Sequence, residues 1–157
     1  MRKLSALIAL FASAAAVTAG AAQSDQFTPY KGPHACTLLT AALAKSVVGK
    51  GAHLTRKATP SKYKTQCQYT SSTGFVTVEA GTWAWIKPFP ESQEKRVQGI
   101  GDEAWIRPIG LLVRKGDNGI SVDVAIIGTY SGAAADKVRA KQDQLEKSLA
   151  PKLLAQL

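Results

Sequence analysis

Acidic residues are missing from a long stretch of this chain: none lies between Asp25 and Glu79, while Lys31, Lys45, Lys50, Arg56, Lys57, Lys62 and Lys64 all fall there. That excludes charge balance along this stretch, and the half of the domain it builds should carry a positive field. Cysteine is scarce too. Cys36 and Cys67 are the only two, the histidines are His34 and His53, and no Cys-x-x-Cys spacing occurs, so no zinc site is legible and no metal or other cofactor is expected. Long apolar runs stop early: after Leu4 to Val17 none approaches the roughly eighteen residues that a membrane helix needs, so no integral membrane segment is expected in the mature chain. There is no Gly-x-Ser-x-Gly elbow, neither histidine sits in a nucleophile motif, and Gly99-x-Gly101 is too short for a phosphate loop.

What is present begins with an address. Arg2 and Lys3 precede the apolar run Leu4 to Val17, and Ala19-Gly20-Ala21 supplies small residues for cleavage, which predicts a secretory signal peptide over residues 1–22. The working protein is therefore expected in the periplasm or secreted. Cleavage leaves about 135 residues, enough for one domain with its own core. Its first cysteine, Cys36, stands well past the cleavage point, where a bacterial lipoprotein would carry its lipid-bearing cysteine. In an oxidising compartment the pair Cys36 and Cys67 is expected to form a disulfide, two buried free thiols being the alternative. A loop of roughly thirty residues closed in this way stabilises a fold by about 3 to 4 kcal/mol.

Residues 23–34 mix Gln, Ser, Asp, Thr, Pro and Gly and are expected as a flexible lead-in; a single α+β domain follows over 35–157. With Thr37 as N-cap, Leu39, Leu43 and Val47 fall on one helical face, and Gly49 can end that helix. Strands are expected over His53 to Thr59, Thr65 to Thr70 and Phe75 to Ala80, the last two forming a hairpin around the turn Ser71 to Gly74. If the third strand continues, Trp83 and Trp85 share a face; Glu91 to Arg96 is expected as a helical turn. Ala104 to Ile106 and Leu111 to Lys115 lead to the turn Gly116-Asp117-Asn118-Gly119, after which Ile120, Val122, Val124 and Ile126 line one face. A final helix carries Val138, Leu145, Leu149 and Leu153 on one stripe, with Arg139, Lys141, Asp143, Glu146 and Lys147 toward water, and Pro151 near its end. The expected fold is an α+β antiparallel meander covered on one face by an N-terminal and a C-terminal helix.

Two groups of residues invite a functional reading. The basic residues Arg56, Lys57, Lys62 and Lys64, with Trp83, Trp85 and Phe89, make a candidate partner surface for a protein or an anionic envelope polymer; outside the cytoplasm nucleic acid is not the expected ligand. Asp102 and Glu103 beside Trp105 offer the carboxylate pair of a sugar-cleaving hydrolase. Adjacent residues on a strand point to opposite faces, however, so Asp102 is expected instead to bond backbone N–H groups in a turn from Gly99 while Trp105 packs. No catalytic residue is assigned, and a non-enzymatic binding protein is the expected class.

Cys36-Thr37-Leu38-Leu39-Thr40 at a helix start, the strand residues Cys67-Gln68-Tyr69, and Gly99-Ile100-Gly101-Asp102-Glu103-Ala104-Trp105 together resemble a widespread group of small exported bacterial proteins. Many of that group are lipoproteins, and its function is not defined. The resemblance implies a bacterial, exported α+β domain without established catalytic residues, and the chain departs from it in lacking the lipid-bearing cysteine.

Overall fold

A computed structural model describes residues 29–58, 60–87 and 93–157, so the signal segment 1–22, the start of the lead-in and Phe89 lie outside the described residues. Seven strands form one antiparallel sheet: β1 (His53–Lys57), β2 (Lys64–Ser71), β3 (Gly74–Thr82), β4 (Lys95–Val97), β5 (Glu103–Ile106), β6 (Leu111–Lys115) and β7 (Asn118–Ile126). Helices α1 (Ala35–Leu38) and α2 (Ala41–Val48) precede the sheet, α3 (Trp83–Ile86) interrupts it and α4 (Ala133–Leu154) closes the chain. The class is the expected α+β.

The strand order β1-β2-β3-β7-β6-β5-β4 is not one continuous meander. After β3 the chain crosses to the far edge, and β4 to β7 run back until β7 pairs with β3. Length and patterning explain the order. β3 and β7 are the longest strands, nine residues each, and both alternate; pairing them at the centre buries Val76, Val78 and Ala80 beside Val124, Val122 and Ile120. The edges are short and charged. β1 is exposed throughout and carries Arg56 and Lys57, and β4 carries Lys95 and Arg96, a composition that discourages further strands from adding.

The apolar face packs under α1, α2 and α4. Leu38, Leu39 and Val48 meet the sheet from one end of the chain and Leu149, Leu153 and Leu154 from the other, in one cluster with Val78, Leu111, Val113 and Val122. The disulfide joins Cys36 on α1 to Cys67 on β2, 31 residues apart, with a Cα–Cα distance of 4.9 Å. It ties the N-terminal helix to the sheet.

Several local expectations are corrected. The N-terminal helix is two helices: His34 Nδ1 accepts the Cys36 N–H at 3.0 Å to start α1, and Thr40 Oγ1 accepts the Leu43 N–H at 3.3 Å to start α2. Thr37 lies inside α1 and caps nothing. Of the lead-in, Tyr30 to His34 are held on the domain, with the Tyr30 N–H on the Lys62 carbonyl at 2.9 Å and the Tyr30 hydroxyl on Pro33 O. Burial pushes that hydroxyl up to about 12. β3 stops at Thr82, so Trp83 and Trp85 do not alternate along a strand but sit on one helical turn. Lys95 and Arg96 belong to strand β4, not to a helical turn. The β6–β7 turn is centred on Gly116 and Asp117, because Asn118 already pairs with Lys115 and Gly119 with Arg114; Gly116 takes the left-handed backbone (φ 60°) that the tight reversal needs. α4 continues through Pro151.

The largest correction is Glu146. Helical periodicity alone points it to water, yet it is completely buried. β6 begins only at Leu111, opposite Val122, which leaves the Val124 N–H without a strand partner, and Glu146 Oε1 accepts it at 3.1 Å.

Candidate binding surface

β1 positions the first basic residues. Arg56 is opposite Gln68 and Lys57 opposite Cys67, and directly opposed residues share a face, so Lys57 projects on the helix side and Arg56 on the side the main helices leave uncovered. The next cations lie on the loop into β2. Ser61 shapes that loop by accepting the Tyr63 and Lys64 N–H groups on its Oγ at 3.3 and 3.0 Å. Lys62 Nζ then stands 5.3 Å from the Tyr63 ring centroid. Lys64 is placed differently: its Nζ bonds Glu79 Oε1 at 2.9 Å, so its charge is partly neutralised within the sheet. The sequence stretch without acids hides this, because Glu79 arrives from β3 across the hairpin.

α3 brings the tryptophans. The Trp83 N–H donates to the Asp117 carbonyl at 2.8 Å and turns the chain off β3 onto the uncovered face. There Gly119 leaves the room: a Cβ on it would come within 2.7 Å of the Trp83 ring and 3.3 Å of Ile86. Trp85 stacks on Tyr63, with ring centroids 5.1 Å apart and planes inclined by 20°, and stays 38 % exposed. Of the seven residues proposed for the partner surface, the fold thus brings Lys62 and Trp85 to Tyr63, turns Lys64 to Glu79, and sets Arg56 and Lys57 on opposite faces of the edge strand. Trp83 is half-buried against Gly119, and Phe89 lies outside the described residues. Sequence reasoning missed Tyr63; its position between Lys62 and Lys64 was the available signal.

Behind Trp83, Lys87 fastens α3 to the sheet. Its ammonium is 3.5 Å from the Trp105 ring centroid, 3.1 Å from Glu94 and 3.9 Å from Glu103. Glu103 also accepts the Trp105 indole N–H at 2.5 Å and lies 3.8 Å from Arg114. Asp102 accepts the Gly116 N–H at 2.7 Å, a turn-holding role as expected but reaching the next hairpin. Asp102 and Glu103 both line one shallow hollow of about 240 Å³. Each carboxylate there is engaged by the protein's own donors.

His34 caps α1 and its Nε2 is 3.3 Å from the Ala58 carbonyl, while His53 Nδ1 is 3.2 Å from the Gly51 carbonyl. Among the described residues no three His, Cys, Asp or Glu side chains are grouped to hold a metal, and no helix is long and apolar enough to cross a membrane. No family model, curated protein or solved structure matches the chain.

Proposed function

We propose that this is an exported, non-catalytic binding protein of the bacterial envelope, which takes an anionic envelope polymer on the surface formed by Arg56, Lys62 and Trp85. The observation that carries the reading is the Tyr63–Trp85 stack, which sets an exposed indole against a ring that Lys62, from the same separate part of the sequence, also approaches. The disulfide and the signal-like segment 1–22 support an oxidising compartment outside the cytoplasm. A formal charge of +9, or +7 once Arg2 and Lys3 are removed, supports an anionic partner. The bonds that occupy Asp102 and Glu103 favour this reading over an envelope hydrolase built on that pair.

Capture of envelope material by the mature protein at low and moderate salt tests it. Anionic polymer should be retained, released as screening rises, and lost on Arg56→Glu with Lys62→Glu; Trp85→Ala should weaken retention further at fixed salt. Retention unchanged by the charge reversals refutes the surface. A defined protein held at moderate salt refutes the polymer and makes the partner a protein.

A further inference from the structure

The uncovered face of the sheet carries a second feature, independent of the basic edge. Across β2, β3 and β7 the ladders place Gln66, Glu79 and Ser121 in one row and Gln68, Thr77 and Asp123 in the next. These positions alternate with Cys67, Val78 and Val122, so they face away from the core. Gln66, Thr77, Glu79, Ser121 and Asp123 line a hollow of about 290 Å³, walled by Arg107 and Ile109 of the β5–β6 loop.

All five of these polar side chains are half-buried, set into the hollow rather than fully exposed on the sheet. Among the described residues the side chains of Gln66, Thr77, Ser121 and Asp123 make no hydrogen bond or ion pair to another protein group, whereas Glu79 holds Lys64. Half-buried donors and acceptors that the protein does not bond itself stay open to the hollow, and their placement on three paired strands makes them a rigid set of groups for a ligand. Burial raises the Asp123 carboxyl above its usual range, against the pull of Arg139, which agrees with restricted access to water. Ile109 adds an apolar rim, 70 % exposed.

We infer that this hollow binds one neutral saccharide unit of a glycan, whose hydroxyls take the hydrogen bonds that Gln66, Thr77, Ser121 and Asp123 leave open. Sugar hydroxyls both donate and accept, which matches an amide, two hydroxyls and a carboxylate. The C–H face of a pyranose suits the Ile109 rim. The volume lies at the small end of ligand sites and holds one ring rather than several. Two carboxylates on the floor, Glu79 and Asp123, disfavour an acidic sugar.

The test is a titration of the ¹⁵N-labelled mature protein, disulfide intact, with the neutral tetramer of N-acetylglucosamine, and in parallel with tetragalacturonate. Saturable shifts at the Thr77, Ser121 and Asp123 amides are expected at millimolar sugar, the range set by a few hydrogen bonds and little apolar area. Thr77→Val keeps shape and fold while removing one hydroxyl, and Asp123→Asn removes the charge; each should weaken binding by about tenfold. Arg56→Glu, on the edge strand, should leave it unchanged, so failure of the polymer surface and failure of the hollow are read separately. The inference is overturned by an absence of saturable shifts, by shifts centred on Trp85 and β1, by equal binding to Thr77→Val, or by tighter binding of tetragalacturonate.

Discussion

Glu146 makes the stability of this domain depend on pH in a calculable way. Its carboxyl is fully buried on α4 against the Val124 N–H, and desolvation raises its pKa from 4.5 to about 7; the Val124 hydrogen bond and Arg139, 4.0 Å away, lower it, and Asp143 and Asp123 add to the rise. The folded protein therefore holds this proton more tightly than the unfolded chain. Below pH 4.5 both states are protonated and the group's contribution is fully present. Between 4.5 and about 7 the unfolded chain releases the proton first, so stability falls as pH rises, and above 7 the loss is complete. At about 1.4 kcal/mol per pKa unit, the loss between the two ends is on the order of 3 kcal/mol, a sizeable part of a small domain's stability. Glu146→Gln retains an oxygen for the Val124 N–H and does not titrate. Urea unfolding of both proteins at intervals from pH 4.5 to 8, with the disulfide intact, separates this group from the groups that do not interact with it. The wild type should lose up to about 3 kcal/mol relative to Glu146→Gln across that window. Parallel pH profiles for the two proteins would refute the reasoning.

Two further outcomes follow from the core and from the α3 anchor. Cys36→Ser with Cys67→Ser should lower unfolding free energy by about 3 to 4 kcal/mol, the chain-entropy value for their separation of 31 residues, and adding reductant should then shift the wild type but not the variant. Lys87→Met should cost roughly 3 kcal/mol in chemical denaturation, because it leaves the Glu94 carboxylate, whose side chain is 4 % exposed, without its cation. Adding Glu94→Gln should restore most of that loss; no restoration would place the Lys87 contribution in its contact with Trp105 instead.

Much of the sheet is legible without coordinates. Val76 and Val78, and Ile120, Val122 and Val124, alternate with polar neighbours, and alternation is a local consequence of the pleat. The candidate surface is less legible, since it depends on distances between segments. Glu79 neutralises Lys64 from another strand, and Trp85 gains its setting from Tyr63, 22 positions earlier. The polar grid on the uncovered face cannot be read from any one strand, because its rows run across three.

The sequence by itself determined the class of fold, the identity of the only cysteine pair and the apolar stripe of the last helix. These are properties of neighbouring residues or of composition, and periodicity reports them directly. Only the tertiary structure decided that β7 pairs with β3, that α3 lies on the far side of the sheet, and that Glu146 is buried. The last case shows the reason. A charged residue on a helix has an outward position by periodicity, but its burial depends on whether another element leaves a backbone N–H unpaired at that point, and here the shortness of β6 does so.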